Sequence, residues 1–220
     1  MKVHHNIIAL AIMLLCTAFA SCSENTNDVE EFADWQNKNT SSFDRIYSEA
    51  VKDTAGTDAG WKIYDKWSFT HETAAHNYDR VAVQVTTRGT GSGCPLYTDS
   101  VKLNIRGRLL PSATYKEGYV FMQSYTGEYN PAVITPGKYA VSSSTSGITD
   151  GLATALQHMH IGDRWTVYVP YQLGYGTTAS TSPSVPAYSM LIYDVELVAY
   201  YRAGTEVPTA AAFSGEWIDE

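Results

Sequence analysis

Positive charge is scarce in this chain. Fifteen Lys and Arg stand against 23 Asp and Glu, a formal net charge of −8, and the basic residues form no cluster. A polyanion-binding surface needs a basic face, so nucleic-acid binding is excluded as a function class. Cysteine is nearly absent: Cys16, Cys22 and Cys94 are the only three. Cys16 lies in an apolar leader and Cys22 at its end, which leaves Cys94 without an intrachain partner, a residue for a loop or strand edge. No disulfide framework can therefore hold the fold. Long apolar runs are missing as well. The stretch over residues 7–20 is too short for a comfortable membrane-spanning helix.

Constellations that carry bond-breaking chemistry are also lacking. HETAAH places His71 and His76 five apart, off a common helical face, so it reads as solvated histidine rather than a zinc-protease helix. GTGSG at residues 89–93 lacks the strand-to-helix context of a dinucleotide loop and reads as a flexible turn. His158 and His160 flank Met159 on opposite sides of a helix end, which does not suit a metal pair. Ser142, Ser143 and Ser144 have no His or Asp at a meaningful spacing, so serine hydrolysis has no support. The expectation is a protein that works without metal or cofactor.

What is present begins with a leader. Lys2, the apolar run and Ala20-Ser21-Cys22 read as a secretory signal over residues 1–21. The small residues before Cys22 resemble the bacterial lipobox, with Phe19 where Leu is usual. That resemblance implies cleavage before Cys22 and a diacylglyceryl thioether on its sulfur, which would hold the protein on a membrane without spanning it. An ordinary signal cleaved nearby, with Cys22 a bystander, is the alternative. Residues 22–30 are polar and acidic and read as a tether. Acidic residues just after the Cys resemble surface-export signals of Bacteroidetes lipoproteins. The expected location is the cell envelope, lipid-anchored at the outer membrane and facing periplasm or surface.

Residues 31–77 form a separate segment. Phe43, Ile46, Tyr47 and Ala50 fit helical spacing, while Asn37 through Ser42 interrupt the pattern, which predicts two short helices rather than one. Residues 53–60 are a loop of small residues, and residues 61–69 an aromatic strand or hairpin arm. This segment is read as a small helical appendage packed on its own domain, with a docking surface as the alternative.

The main domain is expected over residues 78–200, followed by a tail at 201–220. Val81, Val83 and Val85 alternate as a strand, and Val101, Leu103 and Ile105 form the next. Leu152, Ala155, Leu156 and Met159 recur at helical spacing, with Thr149 and Asp150 as N-terminal caps and Gly162 as the closing glycine. Trp165, Val167 and Val169 alternate again. Leu191, Tyr193, Val195 and Leu197 share one strand face, with Asp194 and Glu196 on the other. The class is α+β: one short helix laid on the apolar face of a twisted antiparallel sheet, with a small N-terminal helical appendage.

The motif letters add a family. ITDG, a helix, VYVP followed by GYG, and the final PAYSMLIYDVEL resemble the FK506-binding-protein (FKBP) type of peptidyl-prolyl cis-trans isomerase, as does the upstream order of GTGSG, Pro95, Asp99 and a strand ending in RGRL. The resemblance covers residues 78–200. It implies an FKBP-like fold and isomerisation of X-Pro bonds in exported or envelope polypeptides. It also implies a pocket for proline-containing chains. Tyr175 falls where a hydroxyl binds a substrate carbonyl, Phe121 on a pocket Phe, and Ile148 and Thr149 on a pair whose backbone contacts substrate. Leu152 and Tyr193 match the floor, Tyr139 another lining aromatic, and Val185 the loop rim. Met122 stands where the family has Asp, and Ile105 where it has a pocket Tyr. Both changes remove polar atoms and keep the walls apolar. The expectation is an isomerase with reduced activity or, alternatively, a non-enzymatic binding or chaperone module on the same scaffold.

Overall fold

The computed structural model describes residues 30–53, 60–70, 73–142 and 147–202. Cys22, the leader, nearly all of the tether, His71 of the HETAAH motif, Ser143, Ser144 and the tail from residue 203 onward lie outside the described residues. All elements below belong to one compact unit that begins at Phe32.

Among the described residues, nine strands and two α-helices follow in chain order. Helix α1 is Trp35–Asp53, β1 Trp61–Asp65, β2 Arg80–Thr87, β3 Ser100–Arg108, β4 Val120–Gln123 and β5 Gly137–Ala140. Helix α2 is Asp150–Leu156, followed by β6 Arg164–Val169, β7 Ser180–Thr181, β8 Ser184–Val185 and β9 Leu191–Tyr201. Seven strands make one antiparallel sheet in the order β1-β2-β6-β9-β3-β4, and β5 shares the outer edge of β3 with β4. β7 and β8 pair only with each other, in the loop before β9.

The inner face of the sheet carries the alternating residues. Val81, Val83, Val101, Leu103, Ile105, Val167, Val169, Leu191, Tyr193, Val195 and Leu197 are all fully buried. Helix α2 covers them with Leu152, Ala155 and Leu156. The helix starts at Thr149, whose hydroxyl oxygen accepts from the Leu152 N–H, and it presses so close to β6 that a Cβ on Gly151 would collide with Val169. The helix ends at Leu156. Gly162, expected from sequence to close it, does not; at φ +88° it makes the turn into β6, where Gly89 approaches closely.

The opposite face is covered by α1. Phe43, Ile46 and Ala50 pack on Ala82, Met190 and Ile192, so this segment is an appendage seated on its own domain. It is one continuous helix, not the two short ones expected. The polar run that suggested a break finds partners without leaving the helix. Asn39 is buried; its amide donates to the Trp35 carbonyl at 2.6 Å, and its oxygen accepts from the Met190 N–H at 2.8 Å. Ser41 returns its hydroxyl to the Asn37 carbonyl. The indole N–H of Trp35 donates to Ser189 at 2.8 Å. β1, assigned from sequence to the N-terminal segment, is an edge strand of the main sheet, paired with β2 from Trp61 opposite Gln84 to Asp65 opposite Arg80.

Where α1 ends, the outer face turns polar. Arg164 grips Asp194 with two hydrogen bonds of 2.9 and 2.5 Å and lies over the Tyr129 ring at 3.6 Å. The Tyr129 hydroxyl and the Asn104 amide both donate to Glu196 at 2.6 Å. Asp194 and Glu196 thus point away from the core, as the alternation required. Among the described residues no helix is long and apolar enough to cross a membrane.

Replacing Asn39 by Ala removes two buried hydrogen bonds and strands the Met190 N–H. The expected loss is about 2–3 kcal/mol of unfolding free energy, measured by urea denaturation followed by tryptophan fluorescence.

Candidate functional site

The register of the sheet sets out the floor of the site. Met122, Gly107, Tyr193, Val167 and Val83 lie opposite one another across β4, β3, β9, β6 and β2. Gly107 leaves a gap in that row. Between Gly107 and Arg108 the β3–β4 pairing slips, so Met122 faces Gly107 and Val120 faces Arg108, with Phe121 as the extra residue. A bulge re-aims side chains in this way and commonly borders functional sites. Here it brings both Phe121 and Met122 to the inner side. The Phe121 ring fills the space of the missing side chain: a Cβ on Gly107 would lie 2.7 Å from Phe121 Cζ and 3.0 Å from Tyr193 Cε1.

Three rings result at one place. Phe121 meets Tyr193 edge-on, with centroids 5.6 Å apart and planes at 79°, and meets Tyr175 at 6.2 Å and 90°. Such edge-to-face pairs add stability beyond the area they bury. Tyr175 is delivered by the loop after β6, where the Gly176 N–H bonds the Tyr171 carbonyl and Gly176 takes a φ of +77°. Ile105, Ile148, Leu152 and Val185 belong to the same buried cluster as Phe121 and Tyr193, with Met122, Tyr139 and Tyr175 half-buried against it. Thr149 lies between, as the cap of α2. Of the ten pocket residues named from sequence, Phe121, Tyr175 and Tyr193 meet ring to ring, and Ile148, Thr149 and Tyr175 share one depression, while the others are placed only in or against the common core.

The polar atoms inside this cluster are few. The hydroxyls of Tyr175 and Tyr193 are buried and have no hydrogen-bond partner. Thr149 is close enough to Tyr193 to influence its ionisation, yet no hydrogen bond of normal geometry joins them. Burial pushes the ionisation of Tyr139, Tyr175 and, most strongly, Tyr193 upward, so all three stay neutral and able to donate across the physiological range. The Met122 thioether and the Tyr175 hydroxyl converge on Gly147: a Cβ there would lie 3.3 Å from Met122 Sδ and 3.9 Å from the hydroxyl.

An open depression of about 340 Å³ adjoins the rings. Ile148, Thr149 and Tyr175 line it together with Tyr97, Asp150 and Ala153. Phe121, Leu152 and Tyr193 lie behind this wall rather than in it. Tyr97 is a feature the sequence reading missed. It stacks on Trp67 at 3.8 Å, and Lys66 pairs with Asp150 at 2.9 Å, so the turn after β1 forms the far rim. Tyr97 sits in a Gly- and Pro-bearing loop with no periodicity, and no local signal points to it.

The other motifs disperse. His158 stacks on Tyr64 at 4.1 Å, whereas His160 lies 3.8 Å from the Cys94 thiol and 3.6 Å from Asp163. The Cys94 thiol is unpaired, and burial raises its pKa. His76 is exposed beside Tyr78. Among the described residues no group of three or more His, Cys, Asp or Glu is placed to hold a metal ion.

Known proteins match over this same region. Residues 91–198 fit the family model described as FKBP-type peptidyl-prolyl cis-trans isomerase. A macrophage infectivity potentiator from Trypanosoma cruzi is 32% identical over 121 residues, 55% of this chain and 53% of that protein. The FKBP-type 22 kDa peptidyl-prolyl cis-trans isomerase of Escherichia coli K12 is 30% identical over 116 residues, 52% of this chain and 47% of that protein. The chain thus spans about half the length of the curated relatives it matches. The crystal structure of FkpA from Escherichia coli superposes with a TM-score of 0.50 at 20% identity, covering 90% of this chain and 71% of that one, a likeness of fold.

Adding a methyl at Gly107 forces Phe121 off Tyr193. Gly107→Ala is expected to cost about 1–3 kcal/mol of stability and to change the near-ultraviolet circular dichroism of the ring cluster while the far-ultraviolet spectrum is kept.

Proposed function

The chain belongs, through residues 91–198, to the FKBP-type peptidyl-prolyl cis-trans isomerase family, and on that premise we propose that it accelerates cis-trans isomerisation of X-Pro bonds in exported or envelope polypeptides. The reaction breaks no covalent bond. It turns a C–N bond of partial double-bond character over a barrier of about 18–20 kcal/mol, which otherwise takes tens to hundreds of seconds. At the top of the barrier amide resonance is lost and the carbonyl oxygen carries less charge. A dry aromatic slot disfavours the planar, polar amide more than the twisted one, so it lowers the barrier without a nucleophile or a metal.

The observation that carries this reading is the edge-to-face trio of Phe121, Tyr175 and Tyr193 over the apolar floor of Ile105 and Leu152. In this scheme the pyrrolidine ring enters the depression beside this trio, and Tyr175, which lines it, donates to a substrate carbonyl. Ile148, Thr149 and Val185 border the entry, and Tyr139 closes the side. Ile105 and Met122, apolar where the family carries Tyr and Asp, favour reduced activity. The same two residues favour the second reading, a module that binds proline-containing or unfolded segments without catalysis.

The purified domain is expected to speed a protease-coupled Ala-X-Pro-Phe peptide assay. Tyr175→Phe should lower kcat/KM about tenfold, the worth of one hydrogen bond in a dry site, and Phe121→Ala should lower it further. No acceleration for any X, with peptide binding or suppression of aggregation retained, would replace the enzyme by the binder.

The location is proposed on the leader alone. Lipid on Cys22 would place the domain at a membrane surface, with residues 22–30 as tether. Cys22→Ser should move the protein from the membrane pellet to the soluble fraction after cell fractionation; an unchanged distribution would remove the anchor.

A further inference from the structure

We propose that the Tyr193 hydroxyl, and not only its ring, is a substrate-contacting group: a second hydrogen-bond donor, beside Tyr175, for a backbone carbonyl of the bound X-Pro segment. The proposal rests on the isomerase reading of this pocket and deepens it.

Its starting point is a cost. A buried hydroxyl with no partner is unfavourable, and native interiors keep few of them without reason. Among the described residues only five buried side-chain polar atoms lack a partner, and two of these are the hydroxyls of Tyr175 and Tyr193. Both rings rest on Phe121, at 6.2 and 5.6 Å, so the two phenols stand on the same side of the site. Tyr193 is fully buried by the sheet and α2, a place where a Phe would pack equally well and leave nothing unsatisfied. Its hydroxyl is therefore not explained by packing.

The walls around it are what make a donor useful. Ile105 is fully buried and Met122 offers only a thioether, so the two positions where the family carries Tyr and Asp supply no donor here. Thr149 caps its helix by accepting from the Leu152 N–H at 3.5 Å, and no hydrogen bond of normal geometry joins its hydroxyl to that of Tyr193. Tyr175 and Tyr193 are left as the two phenols that meet the Phe121 ring with hydroxyls lacking a partner, one near the rim and one at the floor. Met122 is the adaptable part: its side chain is half-buried, unbranched and seated by Gly147 and the Tyr175 hydroxyl, and the proposal requires it to move aside, because Tyr193 is fully buried. A peptide that enters past Met122 offers each phenol a backbone carbonyl outside the turning amide, so the chain is held while the X-Pro bond rotates. Tyr193 then does by a different route what the missing polar pair would do.

The test is Tyr193→Phe in the otherwise intact chain, with wild type and Tyr175→Phe beside it. The expected result is a kcat/KM about tenfold below wild type, carried mainly by KM, with a melting temperature equal to or above wild type because an unsatisfied hydroxyl is gone. The double change should lose more than either single one. Unchanged kinetics in Tyr193→Phe, with wild type active, would overturn the proposal. A lower melting temperature with unchanged KM would also overturn it, showing the hydroxyl to be structural. An inactive wild type would instead overturn the isomerase reading; peptide binding by fluorescence would then still decide the donor role, which requires weaker binding by Tyr193→Phe.

Discussion

The missing side chain at Gly107 is the constraint on which the candidate site depends. Because β3 has no Cβ there, the Phe121 ring can settle into the row between Met122 and Tyr193 and touch both tyrosines. The bulge opposite supplies the extra residue that aims it. These two features need each other. A bulge without the gap would push Phe121 into solvent, and a gap without the bulge would be a cavity, which costs roughly in proportion to its volume. The pair also explains why the floor is closed: the space over Gly107 is filled by ring carbon of Phe121 and Tyr193.

Much of the fold was legible because the period of the apolar residues differs between elements. Val81, Val83 and Val85, and again Leu191 to Leu197, alternate with a period of two, and each set lies on the inner face. Leu152, Ala155 and Leu156 keep the helical period, and Thr149 is the cap that was expected. What was not legible depended on partners distant in sequence. The continuity of α1 through its polar run rests on Asn39, whose oxygen is taken by Met190, a residue 151 positions away. The position of Phe121 and Met122 rests on a register slip that alternation in a four-residue strand cannot reveal. Gly162 looked like a helix stop because glycine suits several turns, and the turn it serves is set by the approach of Gly89.

The site itself was legible only through motif letters. No periodicity marks Tyr175 or Tyr139 as pocket residues, since any tyrosine on a half-buried surface looks the same. The meeting of Tyr175 with Phe121 is a property of the assembled sheet. The motif also pointed only to positions shared with the family. Tyr97 and its stack on Trp67 stayed hidden because Tyr97 lies in an irregular loop and its partner lies in the segment before β2.

That segment has a consequence for how the molecule is divided. A fragment cut at residue 78, where the family resemblance begins, would lack both α1 and β1. β2 would then become an edge strand with free backbone donors and acceptors, and Ala82, Met190 and Ile192 would lose their cover. An exposed edge next to an exposed apolar face is a template for pairing with another chain. Trp35–Asp53 and Trp61–Asp65 thus cover a sheet edge and an apolar face that the stretch from residue 78 onward would otherwise expose.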